Sequence, residues 1–438
     1  MVNHYKKIIA ICLVCWINIS VQAQTDSSWT KGSGTEEDPF QIGDINDLKQ
    51  LVEDSKVGNY HKDEYFILTA DIVDNENLII PEDFTRDTPY IEGVAWESIV
   101  QFDGHLNGNG HSISGIKGSM TDLIVGPNQW SIYFIEKLNG SIKNLTIKNS
   151  FLCSWIGGGS SDTSTIENCV NYAMTRYGFS RDVLYLLKNS GSFGKSYSHG
   201  LAGGYLVRAV NCYNYGEVEA KAASSMREPT TYRVNGSGLF NIVYSAVNCF
   251  NMGKVTGAEN PSGICYQLAD RNGEERFSNI VNYGKIITAE GSNSCAITSV
   301  VSSNPRTSDR KTHVGDLYAL SGSASNLIGD DSYVIYSGVH SFQSETYMQS
   351  NDFWEELIDN AIALGTECCQ WKWGKDGFPI LEIIDEEVAG INDITVSEDE
   401  DSQIPMVYYN LQGVNVENPD KGIYIKVQGR KKEKIVFN

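Results

Sequence analysis

The sequence predicts an all-β protein: a right-handed parallel β-helix with short capping helices and a small C-terminal β segment. Three observations predict it. A unit of the form Asn-Cys-x-Asn-x-Gly-x-Val recurs through the middle of the chain. Helical periodicity is confined to two stretches, near positions 44–53 and 351–364. The 438 residues include 41 glycines, 10 prolines and 23 tyrosines, a composition suited to tight turns and half-buried pleated strands.

Taken in order, positions 1–23 read as a secretory signal peptide. Lys6 and Lys7 precede an apolar run over 8–19, too short to span a bilayer, and Val21-Gln22-Ala23 offers a small-residue cleavage site. Positions 24–72 form an N-terminal lead-in and cap. Gly32-Ser33-Gly34 and Asp38-Pro39 are turn formers. Asp44 can cap a helix whose Ile45, Leu48, Leu51 and Val52 share a face, and positions 65–72 read as a strand.

Positions 73–384 carry the solenoid and its closing cap. The repeat copies begin at Asn168-Cys169, Asn211-Cys212, Asn248-Cys249 and Asn279-Ile280. One slot holds Cys169, Cys212, Cys249 and Ile280, and an earlier strand puts Leu145 there. A slot that accepts Cys, Ile and Leu is an apolar core slot, so these thiols are expected free and packed. Val218, Val255 and Ile286 form a second core column. Asn171, Asn214, Asn251 and Asn282 are expected at the turn of each coil, with left-handed backbone and amides bonded from rung to rung. Gly216, Gly253 and Gly284 are expected to supply positive φ at the bend. The long interval between Cys169 and Cys212 reads as an insertion over 173–198.

A helix over 351–364, with Phe353, Trp354, Leu357, Ile358, Ala361 and Ile362 on one face, and the aromatic strand after Trp371 read as the cap closing the solenoid's end. Positions 385–403 are an acidic linker, with acidic residues and no basic one from Asp385 to Asp401. Positions 404–438 reverse sign and read as short strands over 407–411, 422–427 and 434–437.

Three stretches resemble one group of exported bacterial surface proteins. Gly34-Thr35 through Asp38-Pro39-Phe40, with 65–72 and Gly108-Asn109-Gly110-His111, looks like the lead-in of right-handed parallel β-helix proteins that carry GLUG-type repeats. The Asn-Cys-x-Asn-x-Gly-x-Val unit is similar to their rungs. Tyr409-Asn410-Leu411-Gln412-Gly413, with Lys421-Gly422-Ile423-Tyr424-Ile425, resembles a short C-terminal sorting tail of the type IX secretion kind. The resemblance implies an exported, cell-surface or extracellular protein that engages the secretion machinery through its tail. The family is associated with attachment rather than with an assigned reaction.

The formal charge of −21 disfavours nucleic acid as a partner, and no later stretch reads as a transmembrane segment. There is no CxxC pair and no paired histidine, so no metal or other cofactor is expected. No phosphate loop or nucleophile elbow occurs, so no catalytic residue is assigned. Arg208, Arg233, Asp270, Arg271 and His199 are the candidates for a catalytic face, and they read as solvated charges out of register with the core slots. Binding is expected on outward aromatics beside the core slot, Tyr213, Tyr215, Phe250 and Tyr283, and on the 173–198 excursion with Arg176, Tyr177, Arg181 and Tyr185. The leading function is a non-enzymatic adhesin or glycan- or partner-binding scaffold, its partner a glycan or a host or cell-surface protein. The alternatives are a polysaccharide-active β-helix enzyme and a structural spacer.

Overall fold

A computed structural model describes residues 29–82, 90–120, 131–160, 162–220, 235–257, 260–269, 276–288, 292–302 and 312–384, and four C-terminal strands. The leader over 1–23 and the linker over 385–403 lie outside the described residues. The chain divides into two units, 1–383 and 384–438.

The first unit is a parallel β-helix. Strand Phe40–Ile42 pairs in parallel with Tyr65–Leu68, which pairs with His105–Asn107, then Ser141–Lys143, Thr165–Glu167, Leu184–Lys188 and onward. A neighbouring column runs from Ile72–Val73 through Ser112–Ser114, Thr146–Lys148 and Val170–Asn171 to Gly191–Ser192. A third stacks Val218–Ala220, Val255–Gly257 and Ile286–Thr288. A fourth begins with Tyr133–Leu138 against Ser154–Gly159. Each coil visits these faces in turn and returns one strand spacing further along the axis, about 4.8 Å. Parallel pairing follows from that path, because every face is always entered from the same side.

The expected core slot is observed. Leu145, Cys169, Cys212, Cys249, Ile280 and Leu317 are all 0–1% exposed within one apolar cluster that runs from Trp29 to Val334. Cys249 stands in register with Ile280, and its sulfur accepts from the Cys212 backbone N–H at 3.3 Å. All eight described cysteines are free. Val218, Val255 and Ile286 pack as the expected second column.

Two assignments at the corner change. The left-handed residue of each coil is the asparagine before the core slot: Asn168, Asn211, Asn248 and Asn279 have φ between +53° and +57°. Asn171, Asn214, Asn251 and Asn282 are absent from the left-handed positions but do bond along the axis. Asn214 donates to Asn251 and Asn251 to Asn282, each at 2.9 Å, while Asn171 donates to Ser192 at 3.0 Å. The corner asparagines make a second ladder: Asn211 donates to Asn189, Asn248 to Asn211 and Asn279 to Asn248, at 2.6–2.8 Å. Gly216, Gly253 and Gly284 are not at positive φ. Their requirement is close approach between rungs, since a Cβ on Gly253 would lie 2.1 Å from the Gly216 carbonyl oxygen.

The 173–198 stretch is no insertion but one complete coil, carrying strands Met174–Thr175, Leu184–Lys188 and Gly191–Ser192. Its core slot is Ser190, fully buried, with a hydroxyl that accepts from the Cys169 backbone N–H at 3.1 Å. A serine in place of cysteine hid the coil.

Both helices form where expected. Ile45–Lys56 is capped by Asp44, which accepts from the N–H groups of Asn46 and Asp47, and buries Leu48, Leu51 and Val52. Asn351–Leu364 is capped by Ser350 and buries Phe353, Leu357 and Ala361. This second helix and the hairpin of Trp371–Trp373 with Pro379–Leu381 lie along the side of the coils, from Tyr318 back to Asn211. They act as a side clamp. Asn211 donates to the Glu367 carbonyl and accepts from the Cys369 N–H; Asn248 donates to the Cys369 carbonyl and accepts from Trp371 Nε1; Asn279 donates to the Leu357 carbonyl.

The second unit is a four-stranded antiparallel sheet of Val407–Tyr409, Asn415–Val416, Gly422–Gln428 and Lys431–Phe437.

Candidate functional site

The outward aromatics beside the core slot do point away from the solenoid core, but they are covered. Tyr213, Phe250 and Tyr283 are 3%, 0% and 6% exposed, and Val281 is buried. Phe250 packs on Trp371 at 5.8 Å and Tyr283 on Phe378 at 4.8 Å. The Tyr283 hydroxyl donates to the Pro379 carbonyl. Tyr215, half-buried, stacks on Phe193 at 4.8 Å. Burial raises the phenol pKa of Tyr213 and Tyr283. Phe250 and Tyr283 seat the clamp, Tyr213 and Tyr215 pack against Phe250 and Phe193 beside them, and the four do not form an exposed strip.

The other four expected residues separate. Arg176 is buried, with its Nε donating to the Tyr177 hydroxyl, and Tyr177 stacks on His199 at 6.1 Å. His199 is held neutral: burial first, and the Arg176 charge second, push its pKa from the ordinary 6.5 to about 3. Arg181 is exposed and donates to the Tyr133 hydroxyl. Tyr185 lines a cavity.

That cavity, about 320 Å³, lies where the clamp's 364–368 turn meets the coils. Tyr185, Val207, Arg208, Ser245, Arg276 and Glu367 line it. A second cavity of about 280 Å³ shares Arg276 and Leu364 with it and adds Ser278 and His313. Together they make one groove along the axis. Arg208 pairs with Glu367, the contact that closes one wall.

Strand register explains the lining. Ser141, Thr165, Leu186, Arg208 and Ser245 follow one another in register, and Arg276 and His313 extend the line one residue ahead of the pairing of Ala246 with Phe277 and Phe277 with Val314. Each stands four residues before its core slot. Arg208 is therefore in register with the repeat, which corrects the expectation that it was not. The sequence signal was present as that constant offset. Tyr185, Val207 and Tyr244 form an adjoining line, and Tyr244 stacks with the exposed Tyr205 at 6.4 Å.

Among the described lining residues the carboxylate is Glu367, which is engaged by Arg208. Among the described residues no three His, Cys, Asp or Glu side chains gather as metal ligands. The Arg233, Asp270 and Arg271 positions lie outside the described residues.

No protein-family model matches the chain. A stretch of 125 residues, 27% of the chain, is 29% identical to Halomucin of Haloquadratum walsbyi, of which it spans 1%. Among solved structures, a Bacteroides ovatus protein provisionally assigned as an immunoglobulin A1 protease aligns with 82% of this chain and 96% of its own, at 17% identity and a TM-score of 0.43.

Proposed function

We propose that this protein is exported and works at the cell surface as a non-enzymatic binding scaffold that holds a glycan or a partner protein. The carrying observation is the axial groove, which Tyr185, Ser245 and Arg276 line from successive coils whose strands are held in register. A β-helix offers such a line of side chains at a fixed rise per coil, a template for an extended chain. The resemblance of the lead-in, rungs and tail to exported surface proteins supports the location, and the tail is the part proposed to engage the secretion machinery. No helix among the described residues is long and apolar enough to cross a membrane.

The test is a screen of the purified chain against glycans and host matrix proteins, repeated with Tyr185→Ala. Saturable binding that the substitution weakens, with no release of fragments, is the expected result. Cleavage of a bound polysaccharide would replace this reading with an enzyme. Absence of binding to either class would leave a spacer.

A further inference from the structure

We infer that the groove recognises a polysaccharide bearing widely spaced carboxylates, lying along the solenoid axis with Arg276 on one carboxylate. This rests on the binding reading above and narrows it to a ligand class.

The charge distribution is the first observation. The chain carries a formal charge of −21, yet one register line presents Arg208 and Arg276 two coils apart. Arginines set on one line of an acidic protein create a local field opposed to its net charge.

The second observation is what those cations already touch. Arg208 is paired with Glu367. Arg276 is exposed, lines both halves of the groove, and forms no ion pair with any described residue. Its planar guanidinium can take a carboxylate through two parallel N–H bonds, a match that a lysine would not offer.

Spacing is the third. Arg208 and Arg276 are two coils apart, about 10 Å at the backbone, with the neutral Ser245 between them. Glu367 stands beside Arg208 and repels a second close anion. The line therefore suits a polymer with well-separated charges and disfavours a densely sulfated or phosphorylated one. Tyr185 in the wall supplies a flat apolar surface for a sugar ring, and the Ser245 hydroxyl, which donates to the Arg276 carbonyl at 3.0 Å, can accept from a sugar hydroxyl.

The experiment titrates the full chain with hyaluronan oligosaccharides, heparin oligosaccharides and dextran, and with hyaluronan whose carboxyls have been reduced to alcohols. Hyaluronan is expected to bind at least roughly tenfold tighter than dextran or its own reduced form, and to weaken as salt rises. Arg276→Ala should weaken it by roughly tenfold and Arg276→Lys by less, while circular dichroism stays that of the parent because the residue is exposed. Equal binding of native and reduced hyaluronan, tighter binding of heparin, or indifference to Arg276→Ala would each overturn the inference. If groove binding persists on neutral chains, only the carboxylate assignment falls. If no glycan and no protein binds at all, the binding reading falls with it.

Discussion

The coils around 141–188 and those around 208–319 use the same frame for different ends. Upstream, Asn144 and Asn168 turn the corner at φ +54° and +53°, partly or fully exposed, and bond along the ladder: Asn144 to Asn107 at 2.9 Å and Asn168 to Asn144 at 3.1 Å. Downstream, Asn211, Asn248 and Asn279 turn it at the same φ but are at most 1% exposed, because the clamp lies on them. The line four residues before the core slot differs too: Ser141, Thr165 and Leu186 upstream, Arg208, Ser245, Arg276 and His313 downstream. A coil needs its corner, its core slot and its closely packed glycine. The outward positions remain available, and downstream they have been recruited to seat a clamp and line a groove.

The largest effect should come from attacking what both regions share. Cys249→Asp would bury an unpaired charge at a slot of zero exposure, with a burial penalty of about 3–5 kcal/mol or more. Loss of the cooperative thermal transition is expected, and an unchanged Tm would refute the stacked core. Next is Trp371→Ala, which removes a buried ring that both packs on Phe250 and donates to Asn248 at 2.7 Å. A loss of about 3–5 kcal/mol is expected. Hydrogen exchange should quicken over 240–251 and not over 141–148. Uniform acceleration would mean the clamp supports both regions alike.

Acid should act at the junction between them. His199 is buried and neutral, its ring bonded to the Ser237 hydroxyl at 2.6 Å. Its pKa is lowered to about 3, so between 6.5 and about 3 the unfolded chain takes up a proton that the folded chain refuses. The contribution is complete above pH 6.5 and shrinks as pH falls, by about 1.4 kcal/mol per unit. Urea melts at pH 7 and pH 5 should show it, and His199→Asn should flatten this part of the dependence. A parent protein with equal stability at both pH values would place a solvated histidine there.

A finer contrast sets Asn248→Ala beside Asn168→Ala. Both place alanine in a left-handed corner, so their difference reports the clamp together with the ladder bond that Asn248 accepts from Asn279. Asn248→Ala should cost about 1–3 kcal/mol more, because Trp371 and Cys369 lose buried partners. Equal costs would show that the clamp's polar contacts contribute nothing. Smallest is Tyr283→Phe, which removes one hydroxyl bond to the Pro379 carbonyl and should lower stability by about 0.5–1.5 kcal/mol in denaturant melts.

The core slots were legible because Cys, Ile and Leu replace one another only where apolar volume is wanted. Both helices were legible from their caps and spacing. Ser190 was not, since a hydroxyl satisfied inside the rod looks like a loop residue in sequence. The unit holds two asparagines, and nothing local says which turns the corner and which bonds inside. Strand alternation correctly set Tyr213 and Phe250 away from the solenoid core. It could not show that Trp371, more than a hundred positions later, would cover Phe250. The groove's line was written in the constant offset of Arg208, Ser245 and Arg276 from the core slots Cys212, Cys249 and Ile280, and a coil count that includes Ser190 extends it to Leu186.

The two ladders run in opposite senses, and fixed partners dictate this. In the corner ladder the amide oxygens must face the N–H groups of Cys369 and Trp371; in the inner one the amide nitrogens must face the carbonyls of Gly216, Gly253 and Gly284. Each ladder then ends in an acceptor with no donor among the described residues: Asn279 Oδ1 at the far end of one, Asn214 Oδ1 at the near end of the other. Such an orphan costs about 1–3 kcal/mol wherever it falls. That penalty belongs to the terminus and is the same for a stack of two amides or of ten. Each added rung contributes one more bond against an unchanged end cost, so the motif is self-reinforcing in length. Asn171, which has Ser192 and no asparagine next to it in the inner column, escapes the penalty because its Oδ1 accepts from Trp155 Nε1 and the Ala173 N–H.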